Sequence, residues 1–338
     1  MKTIIISRVD NIGDVILTLP LAGMIKEQYP ECTVYFLGKS YTEPIIKISQ
    51  FVDKFLNWDL IKLLGKQEQM AVFKAIHADA IVHAFPNKQI SALALQVGIA
   101  MRIGTSHRFH HWFSCNKLVH FSRKNSDLHE VILNSKLLEP LEIKPLQTSQ
   151  EAIRFYGLTN LPELSQQNRE LLSSDKINII LHPKSKGSAR EWGLDNFSEL
   201  IQLLPADKFS VFITGTKEEG EQISAFFKKN AGRVTDLTGK FTLSELIAFV
   251  NHADALVAAS TGVLHLAAAL GCVAIGLYAP MRPIFPQRWG PVGENASFLV
   301  LTGDCDKCKK SSDCSCIRSI KPSDVKSRLL EYSYAATV

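Results

Sequence analysis

Ala255-Leu256-Val257-Ala258-Ala259-Ser260-Thr261-Gly262-Val263-Leu264-His265-Leu266-Ala267-Ala268-Ala269-Leu270-Gly271-Cys272-Val273-Ala274-Ile275-Gly276-Leu277-Tyr278 contains no Asp, Glu, Lys or Arg. As one helix it would be long enough to cross a membrane. Its punctuation argues otherwise. Ala255–Ala259 has the pattern of a buried strand, and Ser260 and Thr261 are helix-capping types. Ala and Leu propagate a helix from Thr261 to Leu270, and Gly271 ends it before a second apolar run, Val273–Tyr278. Strand, helix and strand in this order form a βαβ unit, which predicts a parallel sheet.

The same alternation continues outward. Upstream lie strand patterns at Ile177–Leu181 and Ser210–Thr214, with helical patterns at Asn196–Leu204 and Leu243–Asn251. The N-terminal half begins with the β-branched run Lys2–Ser7 and a polar turn, Arg8–Asp14. A helical stretch to about Tyr29-Pro30 follows, then strand patterns at Thr33–Gly38 and Ala80–His83. From about Tyr156 to Asp175 the pattern weakens into Leu, Asn, Gln, Ser and Pro, as in a linker. The 338 residues therefore read as two α/β domains, 1–165 and 176–320, with a last helix near Ser323–Tyr332 in a tail, 321–338. Two doubly wound sheets bind ligands beyond the carboxyl ends of their strands, here in an expected central cleft.

Hydrophobic residues make up 46% and charged residues 21%, the balance of a globular protein, and the net charge of +5 is too mild to predict a nucleic-acid partner. The run Ile4-Ile5-Ile6 is too short for a secretory signal and is followed by Arg8 and Asp10, so a cytoplasmic location is expected. Charge is unevenly spread. From Ala80 to Ser126 there is no Asp or Glu, while Lys88, Arg102, Arg108, Lys117, Arg123, Lys124 and several histidines fall there. That stretch is either a solvated basic face or a surface for an anionic partner.

Three motifs carry chemistry. In the first turn, Gly13-Asp14 opens a helix at the carboxyl end of a strand, where Asp14 serves either as a helix cap or as an exposed carboxylate. The helix start Ser260-Thr261-Gly262 presents backbone N–H groups suited to phosphate, and His265 lies one turn further on the same face. The alternative for His265 is a structural histidine. The third motif, His182-Pro183-Lys184-Ser185-Lys186-Gly187-Ser188-Ala189-Arg190-Glu191-Trp192, packs cations, hydroxyls and glycine behind a strand. These are the groups a diphosphate needs, although a solvated charged loop would look the same. Thr214-Gly215-Thr216-Lys217-Glu218-Glu219 adds a carboxylate able to accept hydrogen bonds from a ribose or a base.

Arg8 to Pro20, Arg190-Glu191-Trp192, Asp236-Leu237-Thr238-Gly239, Ser260 to Gly271, Gly276 to Pro280 and Arg288 to Gly293 together resemble glycosyltransferase family 9, the ADP-heptose:lipopolysaccharide heptosyltransferases. The resemblance covers nearly the whole chain. It implies a GT-B fold of two Rossmann-like domains and an inverting transfer from an ADP-sugar without a metal. It also implies that Asp14 is the base, that Arg190 binds donor phosphate, and that Glu218 or Glu219 contacts the nucleoside. Phe241 would lie against adenine, and Thr261, Gly262 and His265 at the diphosphate and sugar, beside the cations and hydroxyl of Lys184, Ser185 and Lys186. Many members have Asp where this chain has Ser260, which loosens the inference to heptose. The acceptor would be an anionic lipopolysaccharide precursor at the cytoplasmic face of the inner membrane, met by Asp10, Arg102, Arg108, Arg123 and Lys124.

Cys305, Cys308, Cys314 and Cys316 are spaced C-x2-C-x5-C-x-C. They are open to a structural zinc, to a disulfide or to free thiols. Two rival functions remain at this level: another nucleotide-sugar enzyme such as an epimerase, and a sugar-nucleotide binder without catalysis.

Overall fold

The computed structural model describes residues 1–123, 126–301 and 314–335. The chain divides into two compact units, Met1–Asn160 and Leu161–Val338. In the first unit β1 (Thr3–Ser7), β2 (Thr33–Gly38), β3 (Lys54–Asn57), β4 (Ala80–His83), β5 (Met101–Thr105) and β6 (Lys117–Val119) form one sheet in the order β3-β2-β1-β4-β5-β6. Its strands all pair in parallel, with Ile4 opposite Val34 on one side and Ala80 on the other. Central parallel strands are covered on both faces and so read as apolar runs. Ile4, Ile5 and Ile6 are accordingly fully buried.

The second unit repeats the plan with β7 (Ile177–His182), β8 (Phe209–Ile213), β9 (Thr235–Asp236), β10 (Ala255–Ala259), β11 (Val273–Tyr278) and β12 (Ala296–Val300). The order is β12-β11-β10-β7-β8-β9, again all parallel. Ala255 to Tyr278 is thus β10, the helix Gly262–Ala269 and β11. Among the described residues no helix is long and apolar enough to cross a membrane.

Two differences from the sequence expectations have clear causes. The helical stretch after β1 is two helices, Ile12–Ile16 and Pro20–Gln28, because Pro20 lacks an N–H and starts a new helix at its first position. The terminal helix Pro322–Ala335 is no separate tail, since Val325 and Leu329 are buried in the core of the second unit. Trp192 Nε1 donates to the Ile320 carbonyl at 2.9 Å, and Asn196 Nδ2 to that of Arg318 at 2.8 Å, which pins the approach to this helix.

In each sheet the chain reverses its direction of growth once, between β1 and β4 and between β7 and β10. At such switch points the loops diverge to opposite faces and leave room at the carboxyl edge.

Candidate functional site

At the switch point of the first unit the sequence places Arg8 directly after β1. Its side chain is only 4% exposed, so its charge must be met inside the protein. Arg8 Nε donates to Asp10 Oδ1 at 2.8 Å, and Nη2 donates to Asp14 Oδ1 in a short contact. Nη1 lies 3.5 Å from Glu130 Oε1 and donates to the Ala84 carbonyl at 3.3 Å and to Asn134 Oδ1 at 3.4 Å. Glu130, fully buried, also accepts from Arg123 Nε at 2.8 Å. One guanidinium thereby ties the β1 turn, the end of β4 and the helix Glu130–Ser135.

Asp14 is not a helix cap. The N-cap of Ile12–Ile16 is Asn11, and the Asp14 carboxylate stands in the first turn, held by Arg8 and about one-sixth exposed (17%). A carboxylate fixed in position and open to solvent at a switch point has the geometry of a proton acceptor.

Asp10 shares the guanidinium but is differently placed. Burial pushes its carboxyl up to about 6, against the opposing pull of Arg8, and the charges of Asp14 and Glu130 push the same way. Since an unfolded Asp titrates near 3.8, folding takes up a proton at Asp10 between pH 4 and 6. Stability is lost as pH rises through that window, and above it the charge is a standing cost. Asp10→Asn is therefore expected to raise the melting temperature by a few degrees at pH 8, with the gain shrinking toward pH 4. Equal melting temperatures at pH 8 would show that Arg8 fully compensates the buried charge.

The basic stretch separates into two kinds of residue. Arg102 donates from Nε to the Ser114 carbonyl at 2.8 Å and from Nη1 to that of Ile99. Arg123 adds bonds to Asn134 Oδ1 at 2.8 Å and the Ala84 carbonyl at 3.2 Å. Both guanidinium groups are committed to protein partners. Lys88, Arg108 and Lys117 are exposed, while Lys124 lies outside the described residues. His83 and His111 add no charge: burial pushes them down to about 3 and about 4.

At the switch point of the second unit two loops leave the neighbouring strands β7 and β10. In the loop after β7, Lys184 Nζ pairs with Glu191 Oε2 at 2.6 Å, and Ser185 Oγ donates to the Ala189 carbonyl at 3.0 Å. These two expected donor contacts fold the loop. They leave Lys186 exposed at its tip, where Lys186 (φ 52°) and Gly187 (φ 80°) are both left-handed. A non-glycine residue there is strained, which is typical of ligand loops. Arg190 is half-buried with one terminal nitrogen 3.8 Å from Met281 Sδ.

After β10, Thr261 caps the helix Gly262–Ala269 by backbone conformation only. Its buried Oγ1 finds no hydrogen-bond partner among the described residues. A helix N-terminus with a hydroxyl left over is a ready anion site. His265 is buried one turn on, and Ser260 lies near the Tyr278 phenol, which donates to the Trp289 carbonyl.

After β8 the structure separates Glu218 from Glu219. Glu219 closes a capping box, accepting from the Thr216 N–H at 2.8 Å while its own N–H donates to Thr216 Oγ1 at 3.2 Å. Glu218 is exposed, its carboxyl lowered by backbone and Thr216 hydrogen bonds and by Lys186 nearby. Gly239 (φ 68°) turns the chain after β9, and a Cβ there would lie 2.9 Å from Lys217 Cα. Phe241 follows, half-buried against Phe249 with ring centroids 5.0 Å apart.

Sequence reasoning missed Arg8, Glu130 and Asn134 as site residues. A signal was present for the first: a cation joined to the end of a buried strand demands an acidic partner. Among the described residues no group of three or more His, Cys, Asp or Glu is placed to hold a metal ion. Cys305 and Cys308 lie outside the described residues, and Cys314 is buried in the core of the second unit.

Comparison with known proteins gives the family. The sequence model of "Glycosyltransferase family 9 (heptosyltransferase)" matches residues 70–316. A Haemophilus influenzae protein named "Putative glycosyltransferase" is 28% identical over 87% of both chains. Lipopolysaccharide heptosyltransferase 3 of Escherichia coli is 23% identical over 82% of this chain and 83% of its own. Among solved structures, a family 9 glycosyl transferase from Veillonella parvula superposes with a TM-score of 0.81 at 20% identity, over 98% of each chain. E. coli ADP-heptose lps heptosyltransferase II does so with 0.76 at 17%, over the whole of both chains. These likenesses give a GT-B fold, and the chain belongs to glycosyltransferase family 9.

Proposed function

We propose that the protein moves a heptose, with inversion and without a metal, from ADP-heptose to the inner core of a lipopolysaccharide precursor. The observation that carries this reading is the Asp14 carboxylate, oriented by Arg8 at the switch point of a family 9 chain. Asp14 takes the proton of the acceptor hydroxyl as its oxygen attacks the anomeric carbon, and the diphosphate departs from the opposite face. Lys186, Arg190 and the N–H groups and hydroxyl at Thr261-Gly262 meet the developing charge, where preformed donors act most strongly. Glu218 contacts the nucleoside, Phe241 lies against adenine, and Ser260 and His265 bound the sugar. On the acceptor side Arg108 presents an exposed cation, with Asp10 beside the base.

Support for the donor comes from relatives. Lipopolysaccharide heptosyltransferases are among them, and one similar structure is E. coli heptosyltransferase WaaC with ADP. Replacing Lys186 or Arg190 with Ala should weaken ADP binding about 10- to 100-fold by calorimetry, since a charge-assisted contact contributes roughly 1.5–3 kcal/mol. Unchanged ADP affinity in both variants would take this loop out of the donor site. A thermal-shift comparison of ADP-, UDP- and GDP-sugars tests the nucleotide, and transfer that survives EDTA tests the metal-free chemistry. Stabilisation by UDP- or GDP-sugars in place of ADP-sugars would redirect the reading to another donor.

A further inference from the structure

Between β5 and β6 the chain projects three exposed aromatic side chains from one short turn. Phe109 is 80%, Trp112 62% and Phe113 69% exposed. They are held rather than loose. Phe109 and Phe113 meet edge to face with centroids 5.1 Å apart, and Trp112 Nε1 donates to the Ser106 carbonyl at 2.7 Å. The helix His111–Ser114 that carries two of them is fixed from beneath: Ser114 Oγ donates to the His110 carbonyl at 2.8 Å, and buried His111 bonds the Thr105 carbonyl at 3.1 Å. Three aromatic rings held in water by a packed scaffold are a feature that folding alone does not require.

The segment that carries the turn is of one sign. No Asp or Glu occurs from residue 80 to 126, and Lys88, Arg108 and Lys117 are exposed there. Protonation of His110 is disfavoured first by burial and then by the charges of Arg108 and Lys88, so these two cations lie near the aromatic turn. Rigid aromatics with exposed cations beside them match an anionic bilayer surface, where rings sit at headgroup level and Lys and Arg meet lipid phosphates.

We infer that Phe109, Trp112 and Phe113, with the exposed cations Lys88, Arg108 and Lys117 of the same acid-free segment, form a docking surface for an anionic phospholipid bilayer. The inference stands apart from the transfer chemistry, because a chain that moved a different sugar would dock in the same way. It adds a reason for the aromatic turn that glycosyl transfer does not supply.

The full-length protein is mixed with vesicles of three parts phosphatidylethanolamine to one part phosphatidylglycerol and sedimented. It should co-sediment with them, far less with phosphatidylcholine vesicles, and binding should weaken at high salt. Trp58 and Trp192 are buried and Trp289 is half-buried, so a blue shift on binding reports chiefly Trp112, and W112F should remove most of it. The triple variant F109S/W112S/F113S should lose at least roughly tenfold in vesicle binding. K88E/K117E should lose the preference for anionic vesicles. Both should keep the wild-type melting temperature and ADP affinity, which separates lost docking from lost folding. Wild-type protein that ignores the anionic vesicles, or a triple variant that binds them equally, overturns the inference. So does an oligomer that the triple variant dissolves in the absence of lipid, since the rings would then pack against a second copy.

Discussion

Asp14→Asn is expected to reduce turnover by about 10²–10⁴, the usual range for removing a general base, while leaving ADP affinity at its wild-type value. The two halves of this expectation come from different units of the chain. The proton acceptor is a carboxylate on the helix after β1, and the groups assigned to the diphosphate are in the loops after β7 and β10. Asparagine keeps an oxygen for the Arg8 guanidinium, and Arg8 retains Asp10 and Glu130, so the fold of the turn should survive. The informative measurement is single-turnover transfer with saturating donor, beside calorimetry with ADP. Wild-type turnover in the variant would remove Asp14 from the chemistry. Lost ADP affinity would mean that the substitution disturbs more than proton transfer.

The sequence disclosed the scaffold more readily than the site, for a physical reason. β10 and β11 are central and covered on both faces, so their apolar runs match the structure residue for residue. β5 and β6 were invisible. Met101-Arg102-Ile103-Gly104-Thr105 mixes a cation and a glycine into a strand, and Lys117-Leu118-Val119 is too short to show a period. The helix start at Thr261-Gly262 was legible because capping and propagation are local. The different surroundings of Glu218 and Glu219 were also available locally, since Thr216-x-x-Glu219 spells a capping box and leaves Glu218 outward. The Arg8 cluster was not legible, because it joins residues 8, 14, 123, 130 and 134 through a fold that periodicity cannot reveal. The same blindness grouped Arg102 and Arg123 with Arg108, although the first two face inward partners. Composition can count cations but does not show which of them reach solvent.

Arg8→Met should destabilise the first unit by about 3–5 kcal/mol, the range for breaking a buried ion pair from one side. For a unit of this size that lowers the melting temperature by on the order of 10 °C. Methionine fills most of the volume, so the expected loss is mainly electrostatic: Asp10, Asp14 and Glu130 remain with Arg123 as the cation among the described contacts. Three negative charges against one in a mostly buried space is the unfavourable state. It is relieved by protonation, and the carboxyl of Asp10, already raised to about 6 with Arg8 present, would rise further without it. The folded variant then binds more protons than the unfolded chain as pH falls, so its deficit against wild type should narrow from pH 8 to pH 5. Adding Asp10→Asn to Arg8→Met should recover much of the loss at pH 8, because it removes one of the unmatched charges. Arg8→Lys should fall between, since a single ammonium cannot reach three carboxylates as the guanidinium fork does. Thermal denaturation across pH separates the explanations. A deficit that is constant with pH and untouched by Asp10→Asn would mean that Arg8 acts by packing alone, and a deficit near zero would mean that solvent already screens the cluster.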